Sequence, residues 1–197
     1  MEHNNTLDYY NNYADEFYQS TVTVEFTEMQ DRFLKKLKKD AYILDFGCGS
    51  GRDTKYFLEQ GYHVEAVDGS VELCRRASQY AGIQVKQMLF EELAVADKYD
   101  GIWACSSILH LPIDKLVKVM QKMTTALKKN GIIYTSFKYG TFSSERNGRF
   151  FTDMTEATFA DLLKGVDGLV VEEQWVSSDV RPERSEEKWL NLILRKR

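Results

Sequence analysis

The chain has 197 residues, of which 43 % are apolar, and this is enough for one buried core in a single domain of ordinary size. The formal net charge is −4, and 26 basic residues are scattered among 30 acidic ones, so no basic stripe indicates a nucleic-acid interface. No apolar run approaches the roughly 18 residues that a membrane span needs.

The N-terminus and the cysteines are typical of a cytoplasmic protein. Residues 1–5 are polar, and the sequence shows no signal peptide. The cysteines and histidines are too dispersed for a disulfide framework or for a metal site: Cys48, Cys74, Cys105, His3, His63 and His110. We therefore expect no metal, no membrane contact and no nucleic-acid partner, and either a monomer or a homodimer.

Residues 1–40 are predicted to be helical. Apolar side chains recur at helical spacing in two segments: Leu7, Tyr10, Ala14 and Phe17, then Met29, Phe33 and Leu37. The first segment also carries three further tyrosines, Tyr9, Tyr13 and Tyr18. Two interpretations stay open, an aromatic cap that belongs to the core or a lid that closes over a ligand. Residues 41–197 are predicted to form the rest of the single domain.

A strand, a glycine turn, a helix and a second strand follow in direct succession. Residues 43–46 read as a buried strand, three glycines turn the chain, and Asp53 begins a helix that runs to about Gln60. The second strand, residues 63–67, ends directly on Asp68. This order is half of a nucleotide-binding α/β unit, in which the acid accepts hydrogen bonds from ribose hydroxyls.

The glycine spacing indicates which nucleotide is bound. A dinucleotide fingerprint needs glycine at position 52, where this chain has Arg52, and Asp53 adds a negative charge where a pyrophosphate would lie. A ligand without phosphates fits better. The pattern Asp45-x-Gly-x-Gly-x-Gly, with Asp68 placed 17 residues after the last glycine, resembles the motif of class I S-adenosylmethionine (SAM)-dependent methyltransferases.

The remaining elements alternate between helix and strand. Ser70 caps a helix to about Tyr80, and a later helix begins at Pro112 and Asp114 and ends in the basic turn 128–131. The predicted strands are residues 83–88, 99–105, 132–137, 169–175 and 189–195, with a helix at 155–164. This order predicts a doubly wound, mostly parallel α/β sheet. The resemblance implies seven strands with helices on both faces and an antiparallel last strand.

The resemblance narrows at the fourth strand. The sequence from Tyr99 to Pro112, YDGIWACSSILHLP, is similar to the strand-four signature of the small-molecule type 11/12 methyltransferases, and within them to the tellurite-resistance-type branch. The family ligand lies across the carboxyl ends of strands one, two and four. The resemblance implies SAM as cofactor, S-adenosylhomocysteine (SAH) as product, and these cofactor-binding residues: Tyr18, Asp45, Gly47, Cys48, Gly49, Asp68, Gly69, Ser70, Phe90, Glu91, Cys105 and Ser106.

Methyl transfer needs few catalytic groups, because proximity and alignment can lower the barrier by roughly 7–11 kcal/mol. An acceptor that carries a proton also needs a base, for which His110 is the candidate, or His110 simply bonds to the backbone. Two loops carry basic and aromatic residues that could bind a small anionic acceptor, possibly a chalcogen oxyanion: Lys138, Tyr139, Arg146, Arg149 and Arg181. The alternative is that these arginines pair with Glu145, Glu183 or Glu186.

Two other functions stay open at this point. The chain could bind SAM without catalysis, as a sensing or interaction module. It could also be an NAD(P)-dependent oxidoreductase, which Arg52 at the third glycine position disfavours.

Overall fold

A computed structural model describes residues 5–197, and the first four residues of the predicted cap lie outside the described residues. Within that range the helices are α1 (Asn5–Asn12), α2 (Ala14–Thr21), α3 (Thr27–Leu34), α4 (Arg52–Glu59), α5 (Val71–Ala81), α6 (Ile113–Ala126) and α7 (Glu156–Leu163). The strands are β1 (Tyr42–Phe46), β2 (His63–Asp68), β3 (Lys86–Gln87), β4 (Tyr99–Ala104), β5 (Leu127–Lys138), β6 (Ser143–Arg146), β7 (Arg149–Thr152), β8 (Leu169–Ser178) and β9 (Lys188–Lys196).

Seven strands form one sheet in the order β3-β2-β1-β4-β5-β9-β8. The five strands from β3 to β5 run parallel, and β9 is antiparallel to both of its neighbours. The predicted mostly parallel sheet with an antiparallel last strand is therefore confirmed. The strand order reverses beside β1, and the carboxyl ends of β1 and β4 frame the crevice where open sheets of this kind bind ligands.

Helices cover both faces of the sheet. Ile43 of β1 packs in one cluster with Phe33 and Phe57 from α3 and α4, whereas its neighbour Leu44 packs on the other face with Leu116 of α6. A strand buried on both sides carries apolar residues on both faces rather than in alternation, and β1 does so except at Asp45. No helix among residues 5–197 combines the length and hydrophobicity needed to cross a membrane.

The predicted N-terminal cap divides into two parts. In place of the first predicted helix the chain forms α1 and α2, which Tyr13 separates with φ −113° and ψ 28°. Asn11 and Asn12 at the end of α1 are weak helix formers, which favours a break at this point. By contrast, α3 belongs to the core, because Phe33 is fully buried with its ring centroid 5.2 Å from that of Trp103.

The third strand and the end of α6 differ from the prediction. Only residues 86–87 of the predicted strand 83–88 pair with β2, because Val85 is buried and Ile83 packs against the cluster beneath β2. Residues 128–131 are not the last turn of α6 but the irregular start of β5. Asn130 adopts φ +64°, and the Lys128 ammonium lies 2.8 Å from an Asp100 carboxylate oxygen.

The predicted loop 138–151 contains a β-hairpin. β6 and β7 pair antiparallel, and Asn147 and Gly148 join them with φ +52° and +74°. Two positive φ angles in a two-residue connection define the turn that Asn-Gly favours most strongly, so this dipeptide was a signal for the hairpin. The other predicted elements agree with the structure to within a few residues.

The Asp53 carboxylate connects α3, α4 and β4 beneath the glycine turn. It is buried and accepts hydrogen bonds from Gln30 Nε2 at 2.7 Å, Trp103 Nε1 at 2.8 Å, and Arg52 Nε and Nη2 at 2.7 and 3.0 Å. Its charge therefore points inward and is balanced by Arg52, whose guanidinium lies 4.5 Å from the Phe26 ring centroid. The predicted repulsion of a pyrophosphate by Asp53 is thus weaker than expected, and the exclusion rests on Arg52 at the third glycine position.

We expect Asp53→Asn to lower the free energy of unfolding by about 3–5 kcal/mol, because it leaves the buried Arg52 without a counter-charge. Chemical denaturation measures this change. The matched control is Asp161→Asn, which removes a highly exposed partner of Lys164 and should cost less than about 1 kcal/mol. Equal losses in the two variants would contradict a structural role for the Asp53 network.

Candidate functional site

A cavity of about 1330 Å³ opens at the carboxyl ends of β1, β2 and β4. The turns after these strands form its floor, α1 and α2 cover one side, and the β6–β7 hairpin with residues 177–191 forms the other. Pockets for one drug-sized ligand are typically 300–1,000 Å³. The cavity can therefore hold a nucleoside-sized ligand and a second small molecule together.

The glycine turn after β1 brings bare backbone to the cavity. Gly47 and Gly49 adopt φ +85° and +55°, which favour glycine. A Cβ on Gly47 would lie 2.5 Å from Ser107 Cβ, so no other residue fits. The Gly47 and Cys48 N–H groups donate to the Val67 carbonyl at 2.9 and 3.0 Å and tie the turn to β2.

The Asp68 carboxylate joins this turn to the next one. Its two oxygens accept the Gly49 N–H and the Ser70 N–H, each at 2.9 Å. The side chain is half-buried and lines the cavity, and burial raises the pKa of the carboxyl group. Each carboxylate oxygen has a further lone pair, so Asp68 can accept two more hydrogen bonds from a ligand.

Asp45 and Cys48 support the turn in different ways. Asp45 is buried, does not line the cavity, and accepts a hydrogen bond from Thr54 Oγ1 at 2.5 Å. Its place is thus beneath the turn, where burial raises the pKa of its carboxyl group. Cys48 does line the cavity, but burial raises the pKa of its thiol well above the usual range, so it offers backbone and not a thiolate.

Phe90 and Glu91 lie where the sequence predicted, after β3 and along the cavity. The Phe90 ring packs against Phe46 with centroids 4.9 Å apart and presents an apolar surface. Glu91 is exposed at the rim, 3.7 Å from the Lys115 ammonium. Leu89 is exposed on the same rim.

Two serine side chains meet on the cavity floor, Ser106 after β4 and Ser136 near the end of β5. Ser106 has φ +51°, an unfavourable conformation for serine, and its N–H donates to Ser136 Oγ at 2.9 Å. The two serine hydroxyls are 3.2 Å apart and both line the cavity. Burial raises the pKa of the neighbouring Cys105 to about 12, so its thiol stays protonated. Strained residues of this kind cluster at functional sites.

Tyr18 does not line the cavity, in contrast to the prediction. It packs against Tyr80 of α5 with ring centroids 6.1 Å apart. Its neighbour Phe17 takes the predicted place, since a Cβ on Gly49 would lie 3.0 Å from Phe17 Cε1. The helix break at Tyr13 changes which aromatic side chains face inward, and helical periodicity alone did not show it.

α1 docks on the turn after β2. A Cβ on Gly69 would lie 2.6 Å from Leu7 Cδ2, so this glycine admits the leucine side chain. Ser70 Oγ donates to Asn11 Oδ1 at 2.7 Å and also caps α5 by accepting the Leu73 N–H. Gly69 and Ser70, both predicted cofactor-binding positions, therefore also hold α1 in place.

His110 has a partner at each ring nitrogen. Nδ1 lies 2.6 Å from the Phe150 carbonyl oxygen and Nε2 lies 2.8 Å from the Tyr10 hydroxyl oxygen. Burial lowers the pKa of His110 to about 4, so the ring is neutral at pH 7. A carbonyl only accepts, hence Nδ1 carries the proton and Nε2 accepts from Tyr10. This weak base, already hydrogen-bonded, does not favour the predicted role of general base.

Most of the predicted basic residues are paired with acids. Arg146 binds Asp153 with contacts of 2.8 and 3.3 Å, and Arg181 binds Asp179 at 2.8 and 2.5 Å. Two further pairs join Lys138 to Glu187 and the Tyr139 hydroxyl to Glu156. The alternative of paired arginines fits better than a clamp of free arginines, although the partners are not those that the sequence suggested.

Arg149 differs from the other four. Its guanidinium carbon lies 4.2 Å from the Tyr9 ring centroid and 5.2 Å from that of Phe151. Within residues 5–197 no carboxylate lies within ion-pair distance of it. Arg149 is therefore the candidate substrate residue that keeps its charge available inside the cavity.

Among the residues that line the cavity, Tyr10, Arg52 and Ser136 carry polar groups to which the sequence patterns attach no binding role. The position of Arg52 directly after the third glycine could have indicated its place at the cavity, because a residue there begins α4 beneath the ligand. The described residues hold no group of three or more His, Cys, Asp or Glu side chains suited to a metal ion.

Residues 43–131 match the family model described as a methyltransferase domain. The chain is also 35 % identical over 98 residues to the N-terminal Xaa-Pro-Lys N-methyltransferase 1-B of Xenopus laevis. That match covers 46 % of this chain and 44 % of the relative, so the chain spans less than half of that protein.

Two solved structures share the fold over nearly the whole chain. The Burkholderia thailandensis 1,6-didemethyltoxoflavin-N1-methyltransferase, bound to its substrate and SAH, has a TM-score of 0.75 at 23 % identity and covers 96 % of this chain and 84 % of its own. The N-methyltransferase NodS of Bradyrhizobium japonicum, bound to SAH, has a TM-score of 0.71 at 15 % identity, covering 94 % and 97 %. Residues 43–131 thus carry a methyltransferase sequence pattern on a methyltransferase fold.

The lowered pKa of His110 predicts a specific loss of stability in acid. The unfolded chain binds this proton near the ordinary pKa of about 6.5 and the folded chain only near 4, so the contribution of neutral His110 is complete above pH 6.5. It is lost as the pH falls towards 4. The free energy of unfolding should therefore drop faster for the wild type than for His110→Gln across this window.

Denaturant titrations between pH 7 and pH 4 measure this difference. His63→Gln is the matched control, since His63 is exposed on β2, and it should follow the wild type. Parallel pH dependence in His110→Gln and the wild type would show that burial does not hold His110 neutral.

Proposed function

Because residues 43–131 carry a methyltransferase domain, we propose that the chain is a SAM-dependent methyltransferase that acts on a small molecule. The observation that carries the proposal is Asp68, which is fixed by the Gly49 and Ser70 N–H groups and faces a cavity large enough for two ligands. The finer prediction, membership of the tellurite-resistance-type branch, stays a prediction.

The residues present fit a SAM molecule. The remaining lone pairs of Asp68 suit the two ribose hydroxyls, and the bare backbone of Gly47 lets the methionine part approach closely. Phe90 offers a flat apolar contact for adenine, with Glu91 at the rim for its amino group. Arg52 lines the cavity, and its Nη1, which is not used in the bonds to Asp53, can donate to the methionine carboxylate.

SAM supplies a methyl group on a positively charged sulfur, which makes the rest a good leaving group. The protein then has to align the acceptor with that methyl and exclude water. Phe17 over Gly49 and Leu7 over Gly69 place α1 and α2 where they shield the reacting atoms. We therefore propose that α1 and α2 are a lid, while α3 belongs to the core.

The paired charges favour a small acceptor without strong net charge. An anionic acceptor would have to compete with Asp153 for Arg146 or with Asp179 for Arg181, and each displacement would leave a buried aspartate without its counter-charge. Arg149 is the observation that keeps an acceptor with one anionic group as the second candidate. The compared proteins are two N-methyltransferases and one N1-methyltransferase, which supports a nitrogen as the attacking atom.

The two alternative functions are separable by experiment. A thermal-shift comparison of SAM, SAH and NADH distinguishes a methyltransferase from an NAD(P)-dependent oxidoreductase. A nucleotide raises the melting temperature only if it binds the folded chain. A methyl-transfer assay over small nitrogen-containing acceptors, with a peptide N-terminus as comparison, distinguishes an enzyme from a non-catalytic SAM-binding module. Peptide methylation with every small acceptor inert would contradict the proposal.

We expect Asp68→Asn to weaken SAH binding about ten- to a hundredfold. It removes the charge that receives the ribose hydroxyls, and hydrogen bonds to charged groups contribute roughly 1.5–3 kcal/mol. Asn keeps the side-chain size but has one acceptor oxygen, which serves only one of the two backbone N–H groups, so the melting temperature is measured in parallel to confirm that the variant is folded. Isothermal calorimetry measures the affinity, with the distant exposed Asp97→Asn as control. An unchanged dissociation constant in Asp68→Asn would exclude the ribose contact.

The lid proposal predicts that Leu7→Ala speeds SAH release at least about fivefold. The substitution removes apolar packing of α1 on Gly69, and loss of a partly buried leucine is worth about 1–2 kcal/mol. Stopped-flow displacement measures the off-rate. Tyr13→Ala, which truncates a side chain that is 49 % exposed, is the control. If Leu7→Ala lowers the melting temperature strongly and leaves the SAH off-rate unchanged, α1 is core and not a lid.

A further inference from the structure

A hydrogen-bond acceptor and a hydrogen-bond donor lie side by side between α1 and the β6–β7 hairpin, in the part of the cavity that we call its acceptor half. The Tyr10 hydroxyl of α1 and the Arg149 guanidinium of β7 both line it, and Arg149 Nη1 donates a long hydrogen bond of 3.5 Å to Tyr10 Oη. They come from segments 139 positions apart in sequence. Neither has a role in binding the nucleotide as proposed above, and their juxtaposition therefore concerns the second molecule.

His110 decides which way the Tyr10 hydroxyl points. Its Nδ1–H is committed to the Phe150 carbonyl at 2.6 Å, so Nε2 accepts the Tyr10 proton at 2.8 Å. Burial raises the pKa of Tyr10, so the hydroxyl keeps that proton at neutral pH. With its proton fixed on His110, the Tyr10 oxygen can only accept, and a ligand N–H would take the place of the long bond from Arg149 and free Arg149 for a neighbouring acceptor.

Arg149 presents donors beside this acceptor. The guanidinium stacks near the rings of Tyr9 and Phe151, which fix its plane. The Phe150 N–H donates to Thr6 Oγ1 at 3.0 Å, so β7 and α1 hold each other in register at this point. Since no carboxylate within residues 5–197 pairs with Arg149, its N–H groups can meet a neutral carbonyl oxygen.

We propose that Tyr10 and Arg149 together recognise the lactam edge, an N–H beside a C=O, of a flat heterocyclic methyl acceptor. The ring N–H donates to Tyr10 Oη and the carbonyl accepts from Arg149. Phe150 and Phe151 line the same part of the cavity and give the ring apolar contacts. The role of this molecule as methyl acceptor rests on the proposed function, whereas its binding does not.

The two residues next to the edge have different roles. Tyr10 touches the acceptor directly, and its hydrogen bond selects a ring with a donor at this position. His110 touches Tyr10 and not the acceptor, so it is a positioning residue. A site that hydrogen-bonds a ligand group rejects an isostere lacking it, because the buried protein group is then left unpaired.

The matched probes are 2-quinolone and coumarin, which have the same bicyclic shape and carbonyl group. They differ in one group: coumarin has a ring oxygen, which cannot donate a hydrogen bond, where 2-quinolone has a ring N–H. With SAH-saturated protein we expect the wild type to bind 2-quinolone at least about fivefold more tightly than coumarin, as one hydrogen bond implies. In Tyr10→Phe, which keeps the ring packed against Phe17, the two affinities should agree within about twofold. Ligand-observed NMR or calorimetry measures both.

Two further variants separate the roles. Arg149→Gln should weaken both probes to a similar extent and leave their ratio unchanged, because both carry the carbonyl. His110→Ala should reduce the ratio towards that of Tyr10→Phe, a change in selectivity that a purely structural role would not cause. Tyr13→Phe, on the same N-terminal segment but exposed, should keep the wild-type ratio.

Equal affinity of the wild type for both probes, a preference that survives in Tyr10→Phe, or no binding of either probe would overturn the proposal. The same titrations without SAH, together with a direct SAH titration, distinguish the two failures. If SAH does not bind but the 2-quinolone preference persists and depends on Tyr10, the proposed function fails and the lactam site stands. If SAH binds and the preference is absent, the reverse holds.

Discussion

The site depends on one carboxylate that joins two backbone turns. Asp68 accepts the N–H of Gly49 from the turn after β1 and the N–H of Ser70 from the start of α5. These bonds fix the floor of the cavity and leave lone pairs of the same carboxylate facing a ligand. Because both turns lie at the carboxyl ends of neighbouring parallel strands, the sheet order brings the two turns together without further support.

The N-terminal segment extends this arrangement to the second molecule. On the side of the cavity around Asp68, which we call the nucleotide half, Asn11 of α1 accepts a hydrogen bond from Ser70 Oγ. In the acceptor half, Thr6 of α1 accepts a hydrogen bond from the Phe150 N–H. Tyr10, between these two contacts, faces the acceptor. One short helix with no fully buried residue therefore touches both halves of the cavity, and its docking is stabilised by the groups that bind ligands rather than by a core of its own.

The sequence predicted the parts of the structure that local pattern determines. The glycine turn, Asp68 and the strand order follow from residue spacing and from the fold that this spacing indicates. The pairing of Lys138 with Glu187 and the partners of His110 could not be predicted, because they join segments that are far apart in sequence. The break at Tyr13 was equally hidden, since helical periodicity continues across it.

We propose above all that Asp68, held by the two turns, receives the ribose of an S-adenosyl ligand. A crystal structure of the protein with SAH tests this most directly. Both ribose hydroxyls should lie within about 3 Å of the Asp68 carboxylate oxygens, and Asp68 should keep its hydrogen bonds from the Gly49 and Ser70 N–H groups. A ribose bound elsewhere in the cavity, with Asp68 bonded only to backbone, would contradict it.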